Sequence, residues 1–155
     1  MNRLLSTTFA AGLLWLGLFS GTARANVYDR IFARVDINHN DKLTMTEFMG
    51  TQSGSTRWTD AAFRFNANDF DHDGFLSKLE FRGSRGGRDG GRPTKRQTFV
   101  LADLDQDNFL DLSEYALTQP QTLRAAVTLR NFGKKDLNDD SLLTSREFGI
   151  FTRAF

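Results

Sequence analysis

The chain has 155 residues and a formal charge of +1, enough length for one compact domain or two small lobes. Charged residues make up 25% and hydrophobic residues 39%, a balance that excludes an intrinsically disordered chain. Cysteine is absent, so disulfides and thiolate metal sites are excluded and any metal must be held by oxygen or histidine.

The first segment reads as an export signal. Arg3 supplies a positive start, 9–19 is largely apolar, and Ala23 and Ala25 set a small-x-small pattern. Cleavage is expected after Ala25. The mature chain, 26–155, then carries 18 basic and 19 acidic residues, a formal charge of −1. The apolar run is short for a span of about 20 residues. No transmembrane segment is expected in the mature chain, and its location is periplasmic or secreted.

Four segments then align without gaps: 36–48, 69–81, 103–115 and 136–148, with starts 33, 34 and 33 residues apart. Phe32, Phe65, Phe99 and Phe132 each lie four residues before the first Asp. Leu43, Leu76, Leu110 and Leu143 each stand eighth, and an aromatic follows each final Glu at Phe48, Phe81, Tyr115 and Phe148. Val27, Tyr28, Ile31, Phe32 and Val35 recur at helical spacing, and 56–66, 94–102 and 121–132 can do likewise. The helices after each Glu are shorter, with Pro120 stopping the third. Each repeat is therefore predicted to be helix, acidic loop, helix. The 15 Phe residues suit helices packed through phenyl rings.

A twelve-residue loop with oxygen donors at positions 1, 3, 5 and 9, a main-chain carbonyl at 7 and Glu at 12 can wrap Ca²⁺ at about 2.3–2.6 Å. Alternation is required because neighbouring side chains in the loop point apart. Glu at position 12 has the reach to return from the following helix with both oxygens. Position 8 is apolar because two loops meet there as a short antiparallel ribbon.

On these residues the chain resembles the EF-hand superfamily, in a four-hand arrangement like calmodulin. The resemblance covers nearly all of the mature chain. It implies an all-α fold of two hand pairs, 26–82 and 94–155, with short antiparallel β contacts between paired loops and calcium as the usual ligand. Loop one would offer Asp36, Asn38, Asn40, Thr44 and Glu47, and loop two Asp69, Asp71, Asp73, Ser77 and Glu80. Loop three would offer Asp103, Asp105, Asp107, Asp111 and Glu114, and loop four Asp136, Asn138, Asp140, Thr144 and Glu147. The position-7 carbonyls belong to Lys42, Phe75, Phe109 and Leu142, whose side chains are free for other uses.

The turn at position 6 needs a positive φ. Gly74 supplies it freely and Asn108 tolerates it, whereas Ser141 and Asp41 depart from the pattern. Loop one has only two of its ligand positions filled by carboxylates. Affinity is accordingly expected to fall from loops two and three to four and then one. His39 and His72 at position 4 are expected to face solvent, and Trp58 to pack in the helix entering loop two.

Residues 83–93 are rich in Gly and Arg and read as a flexible linker; in an exported protein this composition is not taken as nucleic-acid binding. Of the 19 acids, 16 lie inside the four loops, so the rest of the mature chain carries +12. Four divalent ions would make the protein strongly cationic, which suits an anionic surface or a protein partner in the loaded state. The expected function is calcium binding without catalysis, as a buffer or a calcium-stabilised module. The alternative is a calcium-dependent sensor or adaptor. A lanthanide-binding role is less favoured, because Ile37, Phe70, Leu104 and Leu137 stand where proline is typical of lanmodulin-type loops.

Overall fold

The computed structural model describes residues 27–87 and 90–151. The expected export signal, 1–25, lies outside them, as do 88–89 of the Gly/Arg-rich segment. The described chain is mostly helical, with eight helices and one two-stranded antiparallel sheet. In order these are α1 (Val27–Val35), β1 (Lys42–Leu43), α2 (Met45–Met49), α3 (Trp58–Asn68), β2 (Leu76–Ser77) and α4 (Lys78–Gly83), followed by α5 (Lys95–Ala102), α6 (Leu112–Leu117), α7 (Ala125–Gly133) and α8 (Ser145–Phe148). No helix among the described residues is long and apolar enough to cross a membrane.

The four helices that follow the acidic loops start the same way. Thr44, Ser77, Asp111 and Thr144 each cap one of them, and Glu47, Glu80, Glu114 and Glu147 complete a reciprocal capping box three residues on. Two of the other helices begin later than their periodicity predicts. Trp58, half-buried, opens α3 rather than Thr56, because the Thr56 N–H turns back to the Ser53 carbonyl at 2.8 Å. Ala125 opens α7 rather than Gln121. The Thr122 N–H donates to the Gly54 carbonyl at 3.2 Å and Arg57 bridges to Pro120, so this backbone joins the two halves of the chain instead of extending a helix.

Side chains bury into two clusters. Phe32, Val35, Leu43, Phe48, Ala61, Phe65, Leu76 and Phe81 form the first; Phe99, Ala102, Leu110, Tyr115, Phe132, Leu143 and Phe148 form the second. The aromatics pair crosswise. Phe32, before loop one, meets Phe81, after loop two, edge-on at 5.7 Å, and Phe65 meets Phe48 at 5.6 Å. The second half repeats this with Phe99 on Phe148 and Phe132 on Tyr115, both at 5.6 Å. Each such pair contributes about 0.5–1.5 kcal/mol beyond area burial. On the loop side of each cluster stand the eighth-position leucines, all fully buried. Leu43 stands opposite Leu76 in the sheet, and Leu110 and Leu143 exchange N–H···O bonds of 2.9 and 2.8 Å.

The start of the Gly/Arg-rich segment is seated on the first cluster. The Ser84 hydroxyl donates to the Phe81 carbonyl and accepts the Gly87 N–H at 3.0 Å. Gly87 has φ +72 and lies against Phe48, where an added Cβ would run into the ring. Gly87→Ala is therefore expected to lower stability by about 2–4 kcal/mol, combining overpacking with a left-handed backbone. The shift of the urea midpoint measures it; a change within experimental error would show that this turn does not pack on Phe48 in solution.

Candidate metal centres

The four acidic loops follow one hydrogen-bond plan. The first Asp accepts the N–H of position 6 through Oδ2: Asp41 on Asp36 at 3.0 Å, Gly74 on Asp69 at 3.0 Å, Asn108 on Asp103 at 3.1 Å and Ser141 on Asp136 at 3.0 Å. Position 3 accepts from the N–H of position 5, as Asp73 to Asp71 and Asp107 to Asp105, both at 3.2 Å. Position 5 accepts from the N–H of position 7: Lys42 to Asn40, Phe75 to Asp73 and Leu142 to Asp140 at 2.9 Å, and Phe109 to Asp107 at 2.7 Å. Backbone amides thus fold around the acids and offset part of their charge.

Left-handed backbone makes this plan possible. Position 6 has positive φ at Asp41, Gly74, Asn108 and Ser141, as the sequence predicts. Position 4 has it as well, at His39, His72, Gln106 and Asp139, a feature the sequence analysis missed because no glycine marks it. Both histidines are exposed, and neither joins a group that could hold a metal among the described residues.

The closing glutamates span each loop. Oε1 accepts the position-2 N–H, from Ile37 at 3.0 Å, Phe70 at 2.9 Å, Leu104 at 2.8 Å and Leu137 at 3.1 Å. Oε2 accepts the position-9 N–H, from Thr44, Ser77, Asp111 and Thr144, at 2.8–3.1 Å. Hydrogen bonding favours the ionised form. The Thr44 N–H, with help from the Thr44 hydroxyl, holds Glu47 below the usual glutamate range against the cost of burial. Burial pushes Glu80 up, but the Ser77 hydroxyl and the Ser77 and Phe70 N–H groups outweigh it and leave the group lowered. Glu147 is lowered by the hydroxyl and then the N–H of Thr144.

Position 9 has a use that ligand counting did not anticipate. Its oxygen accepts the N–H of the glutamate, from 2.8 Å at Asp111 to 3.3 Å at Ser77, and so caps the following helix. The Ser113 hydroxyl and then the Glu114 N–H hold Asp111 below the usual aspartate range.

Two of the predicted sets come together as acidic groups that could hold a metal ion. Asp69, Asp71 and Asp73 form one, and Asp103, Asp105 and Glu114 the other, with one oxygen from each residue within 4.8 Å of the rest. Loops one and four place Asn38, Asn40 and Asn138 at equivalent positions in the same hydrogen-bond plan. The donors are oxygens throughout, which suits a hard cation. In loop three Asp103 Oδ1 is buried without a hydrogen-bond partner. The corresponding Oδ1 of Asp36, Asp69 and Asp136 accepts a backbone N–H at 3.1–3.3 Å. A buried carboxylate oxygen beside two more carboxylates is costly unless a cation completes it, so the loop-three residues fit a metal ion.

Two lysines cross between loops one and two. Lys42 Nζ lies 2.6 Å from Asp73 Oδ2, and Lys78 Nζ lies 3.2 Å from Asp41 Oδ1. The hydrogen bond and charge of Asp73 raise the Lys42 pKa, and Lys42 correspondingly lowers Asp73. No protein-family model and no curated protein matches this chain.

The lowered glutamates set a pH dependence for the ion-free protein. Their folded pKa values lie below the unfolded ones, so their stabilisation is complete above about pH 5 and is lost as pH falls through the folded values, below about pH 4. Thermal unfolding with chelator present is expected to give a flat midpoint from about pH 7 to 5 and a falling one below about pH 4. Glu80→Gln should flatten part of that fall. A midpoint that climbs on acidification would contradict this assignment.

Proposed function

We propose that this chain is an exported, non-enzymatic calcium-binding protein of the EF-hand superfamily, built as two pairs of hands, 26–82 and 94–155. The observation that carries the reading is the fourfold recurrence of one loop plan. In each loop positions 1, 3 and 5 accept backbone N–H groups of the loop and the glutamate closes it. Asp69, Asp71 and Asp73 come together in loop two, and Asp103, Asp105 and Glu114 in loop three, where a buried Asp103 oxygen lacks a partner. Calcium would supply the positive charge that three or more neighbouring oxygens demand. The carboxylate oxygens of positions 1, 3, 5 and 12, with the carboxamide oxygens of Asn38, Asn40 and Asn138 in loops one and four, would hold it, together with the main-chain carbonyls of Lys42, Phe75, Phe109 and Leu142. The position-9 side chains, engaged as helix caps, would act through water or by turning.

Outside the cytoplasm calcium is abundant, and sites with constants of about 10⁻⁴–10⁻³ M suffice. An ion that binds only the folded chain adds stability by mass action, about 2.7 kcal/mol at a hundredfold excess over its dissociation constant. Calcium then serves first to stabilise the fold, and buffering follows from it. Catalysis is not part of this reading, because the loop acids accept backbone amides at the spacing a hard cation requires.

Calorimetry of the chain with calcium, magnesium and lanthanum tests the proposal. Uptake of calcium is expected, with loops two and three filling before four and one. Glu114→Gln should weaken one of the tighter events by at least about tenfold, since it removes a charged acceptor, whereas Glu47→Gln should affect only the weakest. No heat and no change in thermal midpoint with any of the three ions at millimolar concentration would sink the reading.

A further inference from the structure

The two lysines of the first pair of loops each leave their own loop for the other, and the two contacts are not equivalent. Lys78 reaches Asp41, a turn residue whose side chain is 81% exposed and which belongs to neither acidic group. Lys42 reaches Asp73, a member of the group formed with Asp69 and Asp71. The reach is set by the sheet: Lys42 stands opposite Ser77, so its side chain falls across loop two, with Nζ 5.4 Å from the centre of the Phe75 ring. Asp73 Oδ1 is taken by the Phe75 N–H at 2.9 Å and Oδ2 by the ammonium at 2.6 Å. Both oxygens of this position are therefore engaged. The second pair of loops has no such cation, since the same positions hold Phe109 and Leu112 in loop three and Leu142 and Ser145 in loop four.

We propose that Lys42 is a tethered competitor for loop two: its ammonium occupies the Asp73 corner, and a metal ion entering that loop must displace it. The proposal rests on the calcium-binding reading and adds that a residue of loop one sets the affinity of loop two. Lys42 then joins the two loops through one residue, its main-chain carbonyl belonging to site one and its side-chain ammonium to site two. Loop two is held below the affinity its four carboxylates would otherwise give.

The test follows individual loops by NMR during a calcium titration of isotope-labelled protein, with the Gly74 amide reporting loop two and the Asn108 amide loop three. Lys42→Met keeps the aliphatic stem and removes the charge. It is expected to tighten the Gly74 transition by up to about fivefold, the upper end of an exposed ion pair, and to leave Asn108 unchanged. Lys42→Arg should stay near the native midpoint. Lys78→Met removes an equal charge from loop two itself without touching the acidic group, and should move Gly74 far less. Equal midpoints in native and Lys42→Met protein, or equal tightening by Lys78→Met, overturn the competitor and leave calcium binding standing. A Gly74 amide silent in both proteins while Asn108 responds also overturns it. If neither amide responds to millimolar calcium in any variant, the calcium-binding reading fails and the competitor with it.

Discussion

In every acidic loop a single glutamate side chain closes the ring. One oxygen takes the N–H of the second residue and the other the N–H of the ninth, as Glu80 does with Phe70 and Ser77. The chain between is thereby curled around its own acids, and the remaining amides of the loop turn inward to meet them. The arrangement carries a built-in conflict. Two carboxylate charges within 4.8 Å repel by at least about 0.9 kcal/mol in water and about 3.5 kcal/mol at an effective dielectric of 20. Amides relieve part of this, and Lys42 relieves part of it in loop two. Loop three has five acids, no lysine and an unpartnered Asp103 oxygen, so it retains the most unrelieved charge.

The crosswise aromatic contacts explain why the loops come two by two. The ring after one loop packs on the ring before its partner, Phe81 on Phe32 and Phe48 on Phe65, and the second half repeats the exchange. Neither helix–loop–helix unit can bury its phenyl rings alone. The eighth-position leucines close the gap from the loop side, fully buried where the two backbones pair. Core and candidate sites are thus held by the same four-residue frame in each half.

Much of this was legible because it is local and periodic. The helices around each loop, the leucine in the ribbon and the turn at Gly74 all follow from residue type at a fixed offset. What was not legible depends on a neighbour brought in by folding. The left-handed backbone at His39, His72, Gln106 and Asp139 serves the amide-to-carboxylate plan of the whole loop, and none of these residue types announces it. The salt bridge from Lys42 to Asp73 exists only because β1 and β2 set loop one beside loop two. Glycine content described 83–93 as a tether, yet Gly86 and Gly87 are buried, because a residue without Cβ is what allows that backbone to lie on Phe48 and Tyr28. The delayed start of α7 likewise traces to the backbone bond of Thr122 on Gly54 in the other half, whereas α3 waits on a local turn of Thr56 on Ser53.

The helices that follow the loops tie the candidate sites to the fold. They span only four to six residues, far below the dozen or so at which an isolated helix becomes marginal in water. Their existence therefore depends on packing and on their first turns, where the position-9 oxygen and the closing glutamate satisfy each other's backbone. Those are the same oxygens that would meet a cation. A cation engaging Glu80 or Glu114 would draw on the acceptor that holds the N-cap of α4 or α6. The aromatic carried by that helix, Phe81 or Tyr115, packs on the neighbouring repeat, so the first turn of each short helix and the shared core are held by the same few residues.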